Sequence, residues 1–176
     1  MFPRLSFSSG WTCGPAVVGA VQIMVGLFNV GLGPGRTSTH PGDLSSLGAA
    51  YWLGAVFIVT GVLSVLAGRF PSPCLTGFTV FMNIVGAIFA ITAIVLYAID
   101  LSAASLLWMC NNSSDDNCRK VALFAQRLLT YMDVTLIGLA VIQLCVSVLS
   151  AVQGIKALIG GMEEEEEEEA CSTTPV

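Results

Sequence analysis

Gly19-Ala20-Val21-Gln22-Ile23-Met24-Val25-Gly26-Leu27-Phe28-Asn29-Val30-Gly31-Leu32-Gly33 carries glycine at every seventh position of an apolar stretch, and Gly54, Gly61 and Gly68 repeat the interval in the next. A helix returns to nearly the same side after seven residues, so each set draws a groove free of side chains. In lipid, where burial of apolar surface drives nothing, such grooves let helix backbones approach one another. The pattern predicts helices that pack closely inside a bilayer.

Composition agrees with this. The 176 residues are 55% hydrophobic and 11% charged, with a mean hydropathy of +0.80, too little polar surface to cover a water-soluble globule. The net charge of −5 is local, because seven of the twelve acids form the run Glu163 to Glu169. The rest of the chain is slightly basic.

A hydrocarbon core of about 30 Å takes roughly 20 helical residues to cross. Four segments reach that length, near 13–33, 48–68, 75–99 and 132–157. Pro15 suits an early helical turn, Pro34 marks the end of the first span, and Arg69-Phe70-Pro71-Ser72-Pro73 breaks the second from the third. The first span is too long, and its basic flank too thin, for a cleaved signal peptide, so it is expected to be retained. The expected fold is all-α, a four-transmembrane-helix bundle with both termini on one side. Its parts are a short N-terminus (1–12), the membrane domain (13–157) with outer loops 34–47 and 100–131, and an acidic disordered tail (158–176).

Basic residues place the termini weakly outside, three against four. The 100–131 loop argues the other way, since it holds Cys110, Cys118 and two overlapping glycosylation sequons at Asn111 and Asn112. Paired cysteines and glycan acceptors make chemical sense only on the oxidising side. The termini are therefore expected in the cytoplasm, with a Cys110–Cys118 disulfide holding the outer loop in one shape. That topology puts Cys13 and Cys74 at inner span ends and Cys171 in the tail, where thiols are palmitoylation candidates. Small-residue packing is an equal reading for Cys13 and Cys74, and the better one for Cys145 within the fourth span.

No Lys, Arg, Glu or His lies between the interfaces, and Asp100 and Asp133 sit at the outer edges of their spans. A proton pump, voltage sensor or charge-coupled transporter needs ionisable groups at depth. The spans offer amides instead, Gln22, Asn29, Asn83 and Gln143. They can line a small pore among several copies or bond across helices, and the second reading is favoured. Small residues also recur every seventh position at Thr79, Gly86 and Ala93 and at Ala140, Ser147 and Gly154, a pattern that chance can supply. Tyr51, Trp52, Tyr97, Trp108 and Tyr131 fall near the outer boundary and Trp11 near the inner one, where such rings anchor spans.

Catalytic chemistry finds no footing. There is no HExxH, Gly-x-Ser-x-Gly or phosphate loop, and His40 has no second metal ligand in sequence reach. No enzyme activity, cofactor or metal site is expected. The scattered bases do not suit nucleic acid.

Four blocks in order carry a family resemblance. Residues Gly19 to Asn29 resemble the first span of the membrane-spanning four-domain subfamily A proteins. Tyr51-Trp52-Leu53-Gly54-Ala55 with Phe57 to Val65, Met82-Asn83-Ile84-Val85 through Asp100-Leu101, and Gln143-Leu144-Cys145-Val146-Ser147 resemble the other three. The resemblance, over roughly 16–157, implies a tetraspan with cytoplasmic termini and a disulfide in the larger outer loop, a place that Cys110 and Cys118 match. It implies oligomers, lateral association with immune or sensory receptors, and modulation of signalling or trafficking at the plasma membrane. A calcium-conducting role is the alternative it carries. The short N-terminal segment does not support a docking role for a long tail, and Tyr51 stands where the family has proline before the tryptophan. The chain lacks the Cys-Cys-Gly motif of tetraspanins and the first-loop cysteine pair of claudins.

The tail ends Thr174-Pro175-Val176, a hydroxyl-x-aliphatic pattern of the kind PDZ domains capture. The glutamate run reads as a solvated spacer repelled by the anionic leaflet.

Overall fold

The computed structural model describes residues 14–37, 48–70, 72–103, 110 and 116–172. Among them are four helices, α1 (Pro15–Thr37), α2 (Ala49–Arg69), α3 (Pro73–Ala103) and α4 (Asp116–Ser172). Each contains a stretch long and apolar enough to cross a membrane. They form an up-down-up-down bundle in which α1 packs most extensively on α2 and α3 on α4, with the α2–α3 and α1–α4 sides looser.

Local chemistry sets the helix starts. Pro15 and Pro73 open α1 and α3, where a missing N–H costs nothing because the first turn has no intrahelical acceptor. At α3 the Ser72 hydroxyl accepts the Leu75 N–H at 3.4 Å. Gly48 precedes α2 at φ +67°, a left-handed conformation that glycine takes without strain, and its carbonyl accepts the Tyr51 N–H at 2.8 Å.

Three boundaries differ from expectation. Pro34 does not end α1, which runs three residues past it to Thr37. In a final turn the proline removes one ladder bond rather than breaking a long helix. The outer loop expected at 100–131 is helical from Asp116, and α3 continues to Ala103. From Asp116 to Ile137 there is neither glycine nor proline, and the acid in the first turn suits the helix dipole. The tail expected to be disordered from 158 is helical to Ser172. Glutamate, leucine, methionine and alanine are good helix formers, and the first proline after Pro73 is Pro175. Hydropathy located where α4 leaves the apolar layer, but no proline stops the helix there, and Gly160 and Gly161 weaken it without ending it.

The interior changes character along its length. An apolar cluster of Val25, Leu53, Phe57, Ala90, Leu136 and Ala140 fills the half nearer the 110–118 loop. Next to it, toward the other end of the bundle, the fully buried side chains are Gln22, Asn83, Thr60, Gln143 and Ser147.

The glycine seam and the buried amide layer

The two glycine sets face each other within one chain. A methyl group added at Gly26 would fall 2.7 Å from the Gly54 carbonyl oxygen, and one at Gly54 would fall 2.7 Å from that of Gly26. Gly19 and Gly61 are reciprocal in the same way, at 2.5 and 2.6 Å. Backbone therefore lies against backbone where any other residue would place a side chain. The ends of the seam are closed differently, Gly33 by the Tyr51 ring at 3.0 Å and Gly68 by the Pro15 ring at 2.6 Å.

The α3–α4 pair uses the weaker small-residue pattern in the same antiparallel way. A methyl at Gly86 would meet the Ser147 hydroxyl at 3.3 Å, and one at Gly154 would meet Val80. Ala93 and Ala140 are fully buried in the shared core.

Gly86 and Ser147 mark the level at which all four helices contribute to one polar layer. The Gln22 side-chain amide donates to Asn83 Oδ1 at 2.8 Å and to Ser147 Oγ at 3.3 Å. Its oxygen accepts the Ser64 hydroxyl at 3.0 Å. Asn83 donates to Ser64 Oγ at 3.3 Å and to the Thr79 carbonyl at 2.8 Å, while Gln143 donates to Ser147 Oγ at 3.2 Å. About 10 Å along α1, one heptad on, Asn29 Oδ1 accepts the Tyr97 hydroxyl at 2.6 Å, and Asn29 Nδ2 donates to the Val25 carbonyl at 2.9 Å. Gln22–Asn83 and Asn29–Tyr97 both join α1 to α3, across the diagonal that the backbones leave open. A buried amide without a partner is costly in lipid, so these bonds fix which helix lies opposite which.

Three of the four predicted amides thus make bonds between helices. The fourth, Gln143, bonds within α4, and its oxygen has no hydrogen-bond partner among the described residues. Sequence reasoning missed Ser64 as a partner and misplaced Tyr97. Expected as a boundary anchor, Tyr97 is 2% exposed, because its hydroxyl finds an acceptor inside. Its seven-residue spacing from Ala90 and Asn83 carried that signal. Tyr51, Trp52 and Tyr131 are exposed, and Trp52 stacks edge-on against Phe89 with ring centres 5.4 Å apart.

A cavity of about 320 Å³ opens beneath the layer, lined from all four helices by residues including Val18, Ser64, Thr79 and Ser150. No charged side chain lines it.

Cys110 and Cys118 form a disulfide with Cα atoms 6.1 Å apart, tying the segment after α3 to the first turn of α4. Cys74 is exposed near the start of α3. Cys145, expected to pack, is also exposed, because it lies on the face of α4 turned away from the bundle. Cys171 lies in the last helical turn of α4. Cys13, Asn111, Asn112, His40, Trp11, Trp108 and the Thr174–Val176 end lie outside the described residues.

Four long apolar helices, tied by side-chain amides across the bundle axis, define a multi-pass tetraspan membrane protein. The model of the CD20-like family matches residues 17–155, and the chain belongs to that family. Membrane-spanning 4-domains subfamily A member 8 of Mus musculus is 39% identical over 94 residues, which cover 51% of this chain and 32% of that protein. Member 15 of the same species is 40% identical over 88 residues, 47% of this chain and 36% of the relative. Member 12 of Homo sapiens is 34% identical over 93 residues, 48% and 35% respectively. The matched stretch spans about a third of the length of these relatives.

Proposed function

We propose that this chain is a non-enzymatic organiser of the plasma membrane that associates laterally with its own copies and with receptors, and so modulates their signalling or trafficking. In this reading both termini are cytoplasmic and the Cys110–Cys118 bridge is outside, since the disulfide belongs to the oxidising side. One observation carries the reading. The amides Gln22, Asn29 and Asn83, which could serve ions, are bonded across helices inside a single chain, while the surface facing lipid is apolar. What such a molecule offers its surroundings is a shaped apolar surface, suited to partner helices.

The competing reading is a calcium-permeable channel formed by several copies around Gln22, Asn29, Asn83 and Gln143. Burial of all four within one chain counts against a pore between copies, since none reaches the outer surface. Affinity purification of the full chain in mild detergent tests the proposal. The expected result is more than one copy per particle together with membrane receptors. A monomer with no membrane partner overturns it. Planar bilayers test the alternative, where currents under calcium or sodium gradients that change with Asn83→Ala would replace the organiser reading.

A further inference from the structure

α4 is far longer than a membrane requires. The stretch Asp116–Glu163 has 48 residues, about 72 Å at 1.5 Å per residue, against a hydrocarbon core of about 30 Å. At the disulfide end it also outruns its neighbour. With Gly86 packed on Ser147, the antiparallel register puts Ala103, the end of α3, level with roughly residue 130 of α4. The first turns of α4 therefore project past the end of α3, beyond the apolar layer.

An apolar stripe runs from that projecting part to the level where α3 ends. Val121, Phe124, Leu128 and Tyr131 are 69%, 66%, 50% and 69% exposed, and their 3-4-3 spacing keeps them on one side of the helix. Exposed apolar side chains need no account in lipid, but in water a contiguous row of them marks an interaction surface. The row does not stop at the boundary. Its heptad continues through Thr135, Gly138, Ile142 and Cys145, all exposed, while Leu136, Ala140, Gln143 and Ser147 on the opposite side are buried in the bundle. A partner that follows this face must itself pass from water into lipid, so it is a membrane-spanning helix.

We infer that the Val121–Phe124–Leu128–Tyr131 stripe is a parallel docking seam for α4 of a second copy of this chain, an inference that rests on the self-association proposed above. Two copies in one membrane present the same stripe at the same height, and a two-fold axis along the membrane normal brings like residues together. The charges permit it. Lys120 and Arg127 flank the stripe at positions that, in a parallel pair, face Ala125 and Met132 of the second copy, so no like charges meet. Farther along the seam, nothing lies within 4 Å of where a Gly138 side chain would be, leaving room for two backbones to approach.

Cysteine cross-linking in membranes of expressing cells, opened by freeze and thaw, tests the seam. Cys13, Cys74, Cys145 and Cys171 are replaced by serine, Cys110 and Cys118 are kept, and a single cysteine is introduced as Phe124→Cys, Leu128→Cys or, off the stripe, Leu123→Cys. Leu123 is itself 42% exposed, so the control reports position rather than access. The expected result after mild oxidation is at least tenfold more covalent dimer from Phe124→Cys and Leu128→Cys than from Leu123→Cys. Dimers of native size with equal cross-linking at all three positions overturn the seam and leave self-association standing. Monomers throughout overturn both. Stripe cysteines that neither cross-link nor react with a water-soluble maleimide mean that the stripe is covered within its own chain, which also overturns the seam. As a second measure, Phe124→Glu with Leu128→Glu should abolish the dimer while leaving the monomer's melting temperature unchanged.

Discussion

The α1–α2 and α3–α4 pairs solve one packing problem with different residues. Both are antiparallel, both keep one register through a seven-residue interval, and both are packed far more extensively than the sides between them. In the first pair glycine faces glycine, so each carbonyl oxygen occupies the space that a side chain on the other helix would need. In the second, glycine faces serine, and buried alanines continue the seam. Close packing in lipid thus does not require glycine on both helices. What glycine on both sides changes is tolerance, because a carbonyl oxygen within a helix cannot rotate away, whereas a serine hydroxyl can.

The largest effect is expected where that tolerance is absent. Gly26→Leu or Gly61→Leu places a branched side chain against carbonyl oxygen and the backbone nitrogen beyond it. Overpacking costs about 1–3 kcal/mol where neighbours can shift. Here the helices themselves must separate, so the loss should exceed that range and split the hairpin. Size-exclusion chromatography in mild detergent should show the folded peak lost, and an unchanged peak from both variants would mean that the seam is not a main interface.

The comparison is sharpened by changing one methyl group in each half. Gly26→Ala brings its Cβ within 2.7 Å of the Gly54 oxygen, whereas Gly86→Ala brings its Cβ only within 3.3 Å of the Ser147 hydroxyl. The first should cost about 2–3 kcal/mol and the second about 1 kcal/mol or less. Melting followed by tryptophan fluorescence would read both, and equal shifts would remove the distinction between the two halves.

The amide layer joins those halves, and its loss should rank below damage to the glycine seam. Asn83→Leu removes the acceptor of Gln22 and a donor to Ser64 while filling the same space. The expected cost is about 1–2 kcal/mol, since a buried amide is left short of partners. The Gln22→Ala, Asn83→Ala cycle should return a coupling of about 0.6–2 kcal/mol. A coupling of zero would mean that the two amides merely share a neighbourhood.

Much of this was legible in the sequence because lipid makes a few residue types conspicuous. Glycine at sevens and isolated amides in apolar runs have few reasons to be there, and both sets lie at helix contacts. The partners were not legible. Whether Gly26 meets Gly54 of its own chain depends on the register of a hairpin, which neither segment encodes alone. The α3–α4 seam was hidden by abundance, since alanine, serine and threonine recur so often in these spans that Thr79, Gly86 and Ala93 resemble coincidence. Helix ends failed for a different reason. Hydropathy reports where lipid ends, whereas α4 continues to Ser172 because no proline stops it and good helix formers follow Gly160 and Gly161.

Tyr97 sets the smallest of the expected effects and tests the diagonal most cleanly. Its ring fills the core whether or not it carries a hydroxyl, so Tyr97→Phe removes the hydroxyl's bond to Asn29 and leaves the packing intact. Asn29 keeps its donation to the Val25 carbonyl, which limits the damage. The loss should be about 0.6 kcal/mol, near the average for such bonds in membranes, and should be smaller in an Asn29→Ala background. A loss of full size there would mean that the Asn29 bond contributes nothing and would leave Gln22–Asn83 as the diagonal tie between the two halves.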